Sequence, residues 1–223
     1  MTSATVEDAG YPRDTRNRLL DVAMELISEH GCAGTSLQMI AAELGITKAA
    51  IYYHFRSRDE LLVALMEPIL HQIRHAVETA ESQPTVRTQM DAMVRGYAEV
   101  VAKNRSLAAV VVFDSSVRRI LQMQPAWGEL IERQLALLMQ LEAGTTGFLR
   151  VTTLFSGLAG AATGAPLDID DQLLIEELST IGRRIVGLRQ PRQQSDIQRD
   201  GNERAPRRPE PLPARWKDIF AES

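Results

Sequence analysis

The sequence predicts an all-α fold, an N-terminal unit of three helices followed by a larger C-terminal helical unit. Three observations predict it. Apolar residues recur at helical spacing in segment after segment, glycines and small polar capping residues punctuate those segments, and no stretch alternates with the period of two that marks a half-buried strand.

The first helix is expected over residues 14–30, where Leu20, Ala23, Met24 and Ile27 fall at i, i+3, i+4 and i+7 and form one apolar face. Gly31 ends it, because glycine takes the left-handed C-terminal conformation without a side-chain penalty. After a turn over 32–35, Ser36 caps a second helix with Ile40, Ala41 and Leu44 inward. Gly45 breaks that helix, and Thr47 caps a third that reaches Phe55. A fourth opens at Ser57 or Arg58 and runs to about residue 82, interrupted by Pro68, whose missing amide hydrogen makes it a kink and a hinge or simply a break between two short helices. Residues 84–164 read as three or four further helices, with breaks at Asn104, at Pro125 and between Gly144 and Gly147. The apolar run 108–113 comes nearest to a strand, but its helical flanks assign it to a helix. The last helix spans 170–188 and carries Leu174, Leu178, Ile181, Ile185 and Leu188 as one stripe. Past Gln190 the composition turns to Pro, Arg, Gln and Asp, that of a disordered or loosely docked tail. Within it, acids offset most of the arginine charge, and Trp216, Ile219 and Phe220 form a small apolar cluster at helical spacing.

Composition narrows the function. A chain of 223 residues that is 44% hydrophobic has enough apolar material for a sizeable core, and no stretch approaches the roughly 20 apolar residues needed to cross a bilayer. Residues 1–18 are polar, without an apolar signal core, and Cys32 is the lone cysteine, so a cytoplasmic location is expected. A net charge of -4 excludes coating nucleic acid through bulk positive charge, so any such contact must be local. There is no phosphate-cradling glycine loop, no CxxC pair and no GxSxG elbow, so neither an enzyme nor a cofactor is expected.

Residues 36–55 read as helix, tight glycine turn, helix. In a helix-turn-helix the second helix enters the major groove, so it needs small or polar outward residues near its start and apolar inward ones. Thr47-Lys48-Ala49-Ala50-Ile51-Tyr52-Tyr53-His54-Phe55 meets that requirement. Ile51 and Phe55 lie one turn apart and anchor the helix to Leu20, Ile40 and Leu44. Ala49 and Ala50 let the backbone approach bases, Lys48 reaches a guanine edge or a phosphate, and Tyr52, Tyr53 and His54 bring polar tips to backbone height. The bland alternative makes the tyrosines core and Lys48 a solvated charge. Two adjacent tyrosines cannot both face inward.

Thr35-Ser36, Ile40-Ala41-Ala42-Glu43-Leu44-Gly45-Ile46 and Ile51-Tyr52-Tyr53-His54-Phe55-Arg56-Ser57-Arg58-Asp59-Glu60-Leu61-Leu62 together resemble the TetR (TetR/AcrR) family of bacterial regulators. The resemblance covers about residues 12–70 and fades beyond. It implies an all-helical, nine-helix homodimer whose first three helices read an operator and whose remainder binds an effector. It further implies that Ser36, Thr47, Lys48, Tyr52, Tyr53 and His54 touch DNA, mainly phosphates, while Gln38, Ala49 and Ala50 approach bases. Arg58 stands where the family usually has a phosphate-reaching lysine, and arginine keeps the charge and adds a bidentate fork.

Three other constellations stand out in the sequence. Glu67, His71 and His75 recur at i, i+4 and i+8, but ligands from one helix rarely converge on an ion unaided, so a solvated stripe is the better reading and no metal is expected. Gly157, Gly160, Ala161 and Gly164 permit close helix approach, and since the family resemblance implies dimerisation through the last two helices, they form with Leu174, Leu178, Ile181 and Ile185 the expected four-helix dimer interface, in which Arg183 and Arg184 pair with Glu176 and Glu177 across it. Met66, Met90, Met93, Phe113, Met123, Trp127, Phe148 and Phe155 fall in the segment where the family resemblance implies an effector pocket, and with Arg74, Arg95 and Tyr97 as polar anchors they form the expected site for an apolar or amphipathic effector.

The sequence thus divides into a DNA-binding domain over 12–72, an effector-binding and dimerisation domain over 73–189 and a tail over 190–223. The expected protein is a cytoplasmic, homodimeric, ligand-responsive repressor that binds a palindromic double-stranded operator and no membrane, with half-sites about one helical turn or a multiple apart. The rivals are a constitutive DNA-organising or adaptor protein and a metal-responsive regulator.

Overall fold

The computed structural model describes residues 12–188, which fall into two compact units dividing between Glu67 and Pro68. The described residues form ten helices and no strand. The all-α fold class therefore stands, with one helix more than the nine that the family resemblance implies. The tail over 190–223 and its cluster of Trp216, Ile219 and Phe220 lie outside the described residues.

The first unit holds α1 (Pro12–Gly34), α2 (Leu37–Glu43), α3 (Lys48–His54) and the opening of α4 (Arg58–Glu81). Gly31 takes φ 72° inside α1, as expected of a helix stop, yet one more helical turn follows before the chain leaves. The inward face of α1 carries Leu19, Ala23 and Ile27, while Leu20 and Met24 are only half-buried. The expected stripe was thus one residue out of phase at its start. Leu44, expected inward, is also half-buried, because it forms the C-cap of α2 rather than a place on its inner face.

The second unit holds the rest of α4, α5 (Val86–Lys103), α6 (Arg105–Phe113), α7 (Ser115–Gln122), α8 (Pro125–Leu138), α9 (Gly144–Gly164) and α10 (Asp171–Ile185). Five helices, not three or four, occupy residues 84–164. The extra break is at Asp114, whose carboxylate accepts from the amides of Ser116 and Val117 at 2.8 and 3.2 Å and so starts α7 as a separate helix. The run 108–113 is helical, within α6.

Helix α5 is the central element, packed against α8, α9 and α10. Gly182 of α10 lets the meeting with α5 and α9 close, since a Cβ there would lie 2.7 Å from Val94 and 3.0 Å from Leu154. On the other side Gly96 faces Ala76 of α4, where a Cβ would come within 2.6 Å of the alanine methyl. Polar clasps tie the helix ends. Arg105 donates to Asp171 at 2.6 Å and to the Pro166 carbonyl at 3.2 Å, and Arg133 makes a two-armed pair with Glu81 at 2.6 and 2.9 Å. The hydrogen bond from Arg133 holds the Glu81 carboxyl below its ordinary range.

Candidate nucleic-acid interface and ligand cavity

In the first unit the two short helices are set by their caps. Ser36 Oγ accepts from the Met39 amide and Thr47 Oγ1 from the Ala50 amide, both at 3.2 Å. Each hydroxyl uses an acceptor lone pair in capping and keeps its O–H to donate to an oxygen outside the protein. Between the helices Gly45 turns the chain with φ 67°.

Helix α3 has two distinct faces. Ile51 and Phe55 are fully buried, and the Arg16 guanidinium lies 5.1 Å from the centre of the Phe55 ring. Tyr52 is 42% and Tyr53 81% exposed, which removes the reading of the tyrosine pair as core. Lys48 and Ala49 are exposed, and Ala50 and His54 are half-buried. The Lys48 ammonium sits 5.8 Å from the Tyr52 ring centre, and Tyr53 meets His54 edge to face at 5.2 Å between centroids. A flexible cation and two phenol hydroxyls therefore share one solvent face of one short helix.

Beside that face a depression is lined by Ser36, Leu37, Gln38, Tyr52, Arg56, Ser57 and Arg58. It brings Ser36, Gln38, Tyr52 and Arg58 together from α2, α3 and the start of α4, and it adds Arg56, an exposed cation that sequence reasoning left unassigned. The signal for its place there was available in the sequence, since Arg56 sits in the short break after Phe55 and close to Arg58. Glu60 ties this break to the start of α4. Its carboxylate accepts from the Arg56 amide at 2.8 Å while its own amide donates to Ser57 Oγ at 3.1 Å, a reciprocal closure of the α4 start. The Arg58 guanidinium donates one N–H to the Cys32 carbonyl, and a guanidinium has five to give.

The second unit holds a partly open cavity of about 180 Å³. Of the effector-pocket residues expected from sequence, Tyr97, Trp127 and Phe155 line it. Tyr97 donates to the Phe155 carbonyl at 3.1 Å and packs edge-on to its ring at 4.7 Å, and burial raises its phenol pKa well above the ordinary value. The other expected members lie elsewhere. Met66, Met90 and Met93 are fully buried core, Met123 is 76% exposed, and Phe113 is exposed with its ring edge over Gly160. Arg74 and Phe148 are half-buried and Arg95 is exposed, none of them on the cavity wall. Sequence reasoning missed the wall contributed by α6 and α7, including Ala108, Val111, Val112, Arg118 and Gln122. The available signal was the spacing of Arg118 and Gln122, one turn apart on an amphipathic helix.

The expected dimer surface is also redistributed. Leu174 and Leu178 are buried in their own unit because α10 packs on α5 and α9, so the stripe has an intramolecular outlet. Ile185 is half-buried, while Ile181 is exposed at 43%. Gly157, Ala161 and Gly164 stand on the open side of α9, whereas Gly160 receives the Phe113 ring. Arg183 is engaged by Asp91 of the same chain at 2.5 Å, which corrects its expected pairing with a partner; Arg184 is exposed. Glu67, His71 and His75 are exposed, and among the described residues no group of three or more His, Cys, Asp or Glu is placed to hold a metal ion. No helix among those residues is long and apolar enough to cross a membrane.

Known proteins carry the same pattern. Residues 19–65 match the family described as bacterial regulatory proteins, tetR family. The chain is 42% identical over 67 residues to the HTH-type transcriptional regulator AcrR of Shigella flexneri, covering 30% of each chain. It is 27% identical over 124 residues to the HTH-type transcriptional repressor KstR2 of Rhodococcus jostii, covering 54% of this chain and 58% of that one. Both matches span less than two thirds of the relative. Among solved structures, SCO3833 of Streptomyces coelicolor, a member of the TetR transcriptional regulator family, superposes with a TM-score of 0.61 at 20% identity, over 86% of this chain and 96% of that one. That likeness establishes the fold alone. The matched segment holds both capped helices and the buried Ile51, so residues 19–65 carry the pattern of bacterial regulatory proteins of the tetR family, and the likeness over the rest of the chain is one of fold.

Proposed function

We propose that the chain is a homodimeric, sequence-specific DNA-binding transcriptional regulator, a repressor that leaves a palindromic operator when a small molecule occupies its second unit. The observation that carries the reading is the two-faced α3, with Ile51 and Phe55 fully buried and Lys48, Tyr52 and Tyr53 exposed. A helix fixed in this way can enter a major groove without loss of core. Residues 12–72 act as the DNA-binding domain. Ser36, Thr47, Lys48, Tyr52, Tyr53, His54 and Arg58, joined by Arg56, grip phosphates, and Gln38, Ala49 and Ala50 approach bases.

Residues 73–189 bind the effector and form the dimer. The open face of α9 at Gly157, Ala161 and Gly164, with the exposed Leu149, Leu173 and Ile181, supports a self-complementary helical interface. The cavity supports a ligand site, since its wall is mostly apolar with a few polar groups.

Genome-wide recovery of DNA bound to the protein tests the reading. The expected result is a small set of sites sharing an inverted repeat, bound by a dimer in solution and released by a compound related to the adjacent genes. Uniform recovery without a shared repeat would favour the DNA-organising rival, and binding unaffected by any such compound would favour the constitutive adaptor.

A further inference from the structure

The cavity of the second unit has a charge character that its aromatic walls conceal. Ile69, Ile73, Val100, Val101, Ala108 and Leu135 contribute apolar wall, and Arg118 is the one ionisable cation on the lining. No Asp or Glu lines the cavity. Among the described residues the Arg118 guanidinium has no hydrogen-bond or ion-pair partner, although Asp114 is one turn away; that carboxylate is taken by the amides of Ser116 and Val117. Arg105, Arg133, Arg150 and Arg183, by contrast, are each paired with a carboxylate.

A half-buried cation facing apolar walls is costly to leave without a partner, and the cost is removed by an anion that enters with it. The planar fork of a guanidinium matches a carboxylate through two parallel hydrogen bonds. Gln122, one turn from Arg118 on α7 and also on the lining, supplies an amide donor to the same head group. The tyrosine does not compete for that role, because its hydroxyl already donates to the Phe155 carbonyl. A cavity of about 180 Å³ is slightly larger than the roughly 150 Å³ space that holds benzene, which suits an apolar body on the order of six to ten heavy atoms.

We propose that this cavity takes a singly charged amphiphilic carboxylate, its head group held by Arg118 and Gln122 and its short apolar body against the walls from α4, α5, α6 and α8. The inference rests on the effector-binding reading above and names the chemical class of that effector. It moves the polar anchor from Arg74, Arg95 and Tyr97 to a residue on α7.

Octanoate, 1-octanol and octylammonium have eight carbons each, the alcohol and amine carrying one more apolar CH2 in the tail than octanoate, so tighter binding of octanoate tests the charge preference in the intact wild-type chain. Binding is measured by calorimetry and by the emission of Trp127 in a Trp216→Phe background. Octanoate is expected to bind at least tenfold more tightly than either of the others. Arg118→Gln should erase that preference, and Arg118→Glu should turn it toward octylammonium. Equal affinity for the three probes, no binding of octanoate at millimolar concentration, or an octanoate affinity unchanged in Arg118→Gln would each overturn the proposal. The wild-type comparison decides the matter even if a variant fails to fold. Operator release is measured in parallel. Octanoate that binds with the expected preference but leaves operator affinity unchanged keeps the carboxylate site and removes the effector role, whereas release by octanol as readily as by octanoate keeps the effector role and removes the carboxylate preference.

Discussion

At the residue scale, the neighbours Ile51 and Tyr52 face opposite ways, one into the core and the other to solvent. Ile51 is fully buried, so Ile51→Ala should cost about 2–5 kcal/mol of stability, read in a denaturant titration. Tyr52→Phe and Lys48→Ala remove exposed polar groups and should leave thermal unfolding nearly unchanged while weakening operator binding. Loss of folding in either would return them to the core. Arg58 is a mixed case, because its guanidinium both donates to the Cys32 carbonyl and faces the depression with Ser36 and Tyr52. Each phosphate contact contributes about 0.9 to the salt slope, so Arg58→Ala should lower the slope of log K against log salt by about 1.8 for a dimer. Arg58→Lys should restore it, and an unchanged slope in the alanine variant would remove Arg58 from the phosphate contacts. The caps at Ser36 and Thr47 and the inward Ile51 and Phe55 were legible in sequence because each depends on residues within a turn or two. The start of the α1 stripe was not, since Leu19 and Leu20 are alike in hydropathy and only packing decides which faces inward.

At the element scale, helix approach is set by what is missing from a side chain. Gly96 of α5 would place a Cβ 2.6 Å from the methyl of Ala76 and 3.3 Å from its backbone Cα, and an alanine has no rotamer by which to yield. Gly96→Ala raises intrinsic helix propensity by up to about 1 kcal/mol, yet the forced separation of α4 from α5 typically costs about 1–3 kcal/mol. A net loss of stability is therefore expected, and a variant more stable than wild type would show that the two helices separate freely. The sequence indicated the helices by period but not the break at Asp114, because an aspartate inside an apolar run reads as a surface position until its carboxylate is seen capping α7. Likewise the stripe on α10 was legible as a stripe, whereas its partner was not. Leu174 and Leu178 are buried where α10 packs on α5 and α9, α5 lying far away along the chain, and no local pattern distinguishes that outlet from a second subunit. The cavity was obscured for the same reason, since Tyr97 and Phe155 meet across a separation of 58 residues.

At the scale of the whole molecule, the two units are joined through α4, and the division between them falls at Pro68 inside that helix. Proline lacks an amide hydrogen and its ring crowds the carbonyl four residues earlier, so the Ala64 carbonyl has no helical partner from position 68. A helix missing one rung bends there at lower cost than elsewhere. On the proposed function, small-molecule occupancy of the second unit would change operator affinity only to the extent that it favours one of two arrangements, and a weakened rung in the connecting helix is a place where two arrangements differ little in energy. Pro68→Ala restores the amide and the rung and removes a residue that is itself exposed, so no core contact is lost with it. The variant should keep effector-free operator affinity close to wild type and should need more effector for half-release, measured by titrating an operator complex at fixed protein concentration. If release follows the same curve in both proteins, Pro68 is an accommodated helix residue and coupling runs through another part of the chain.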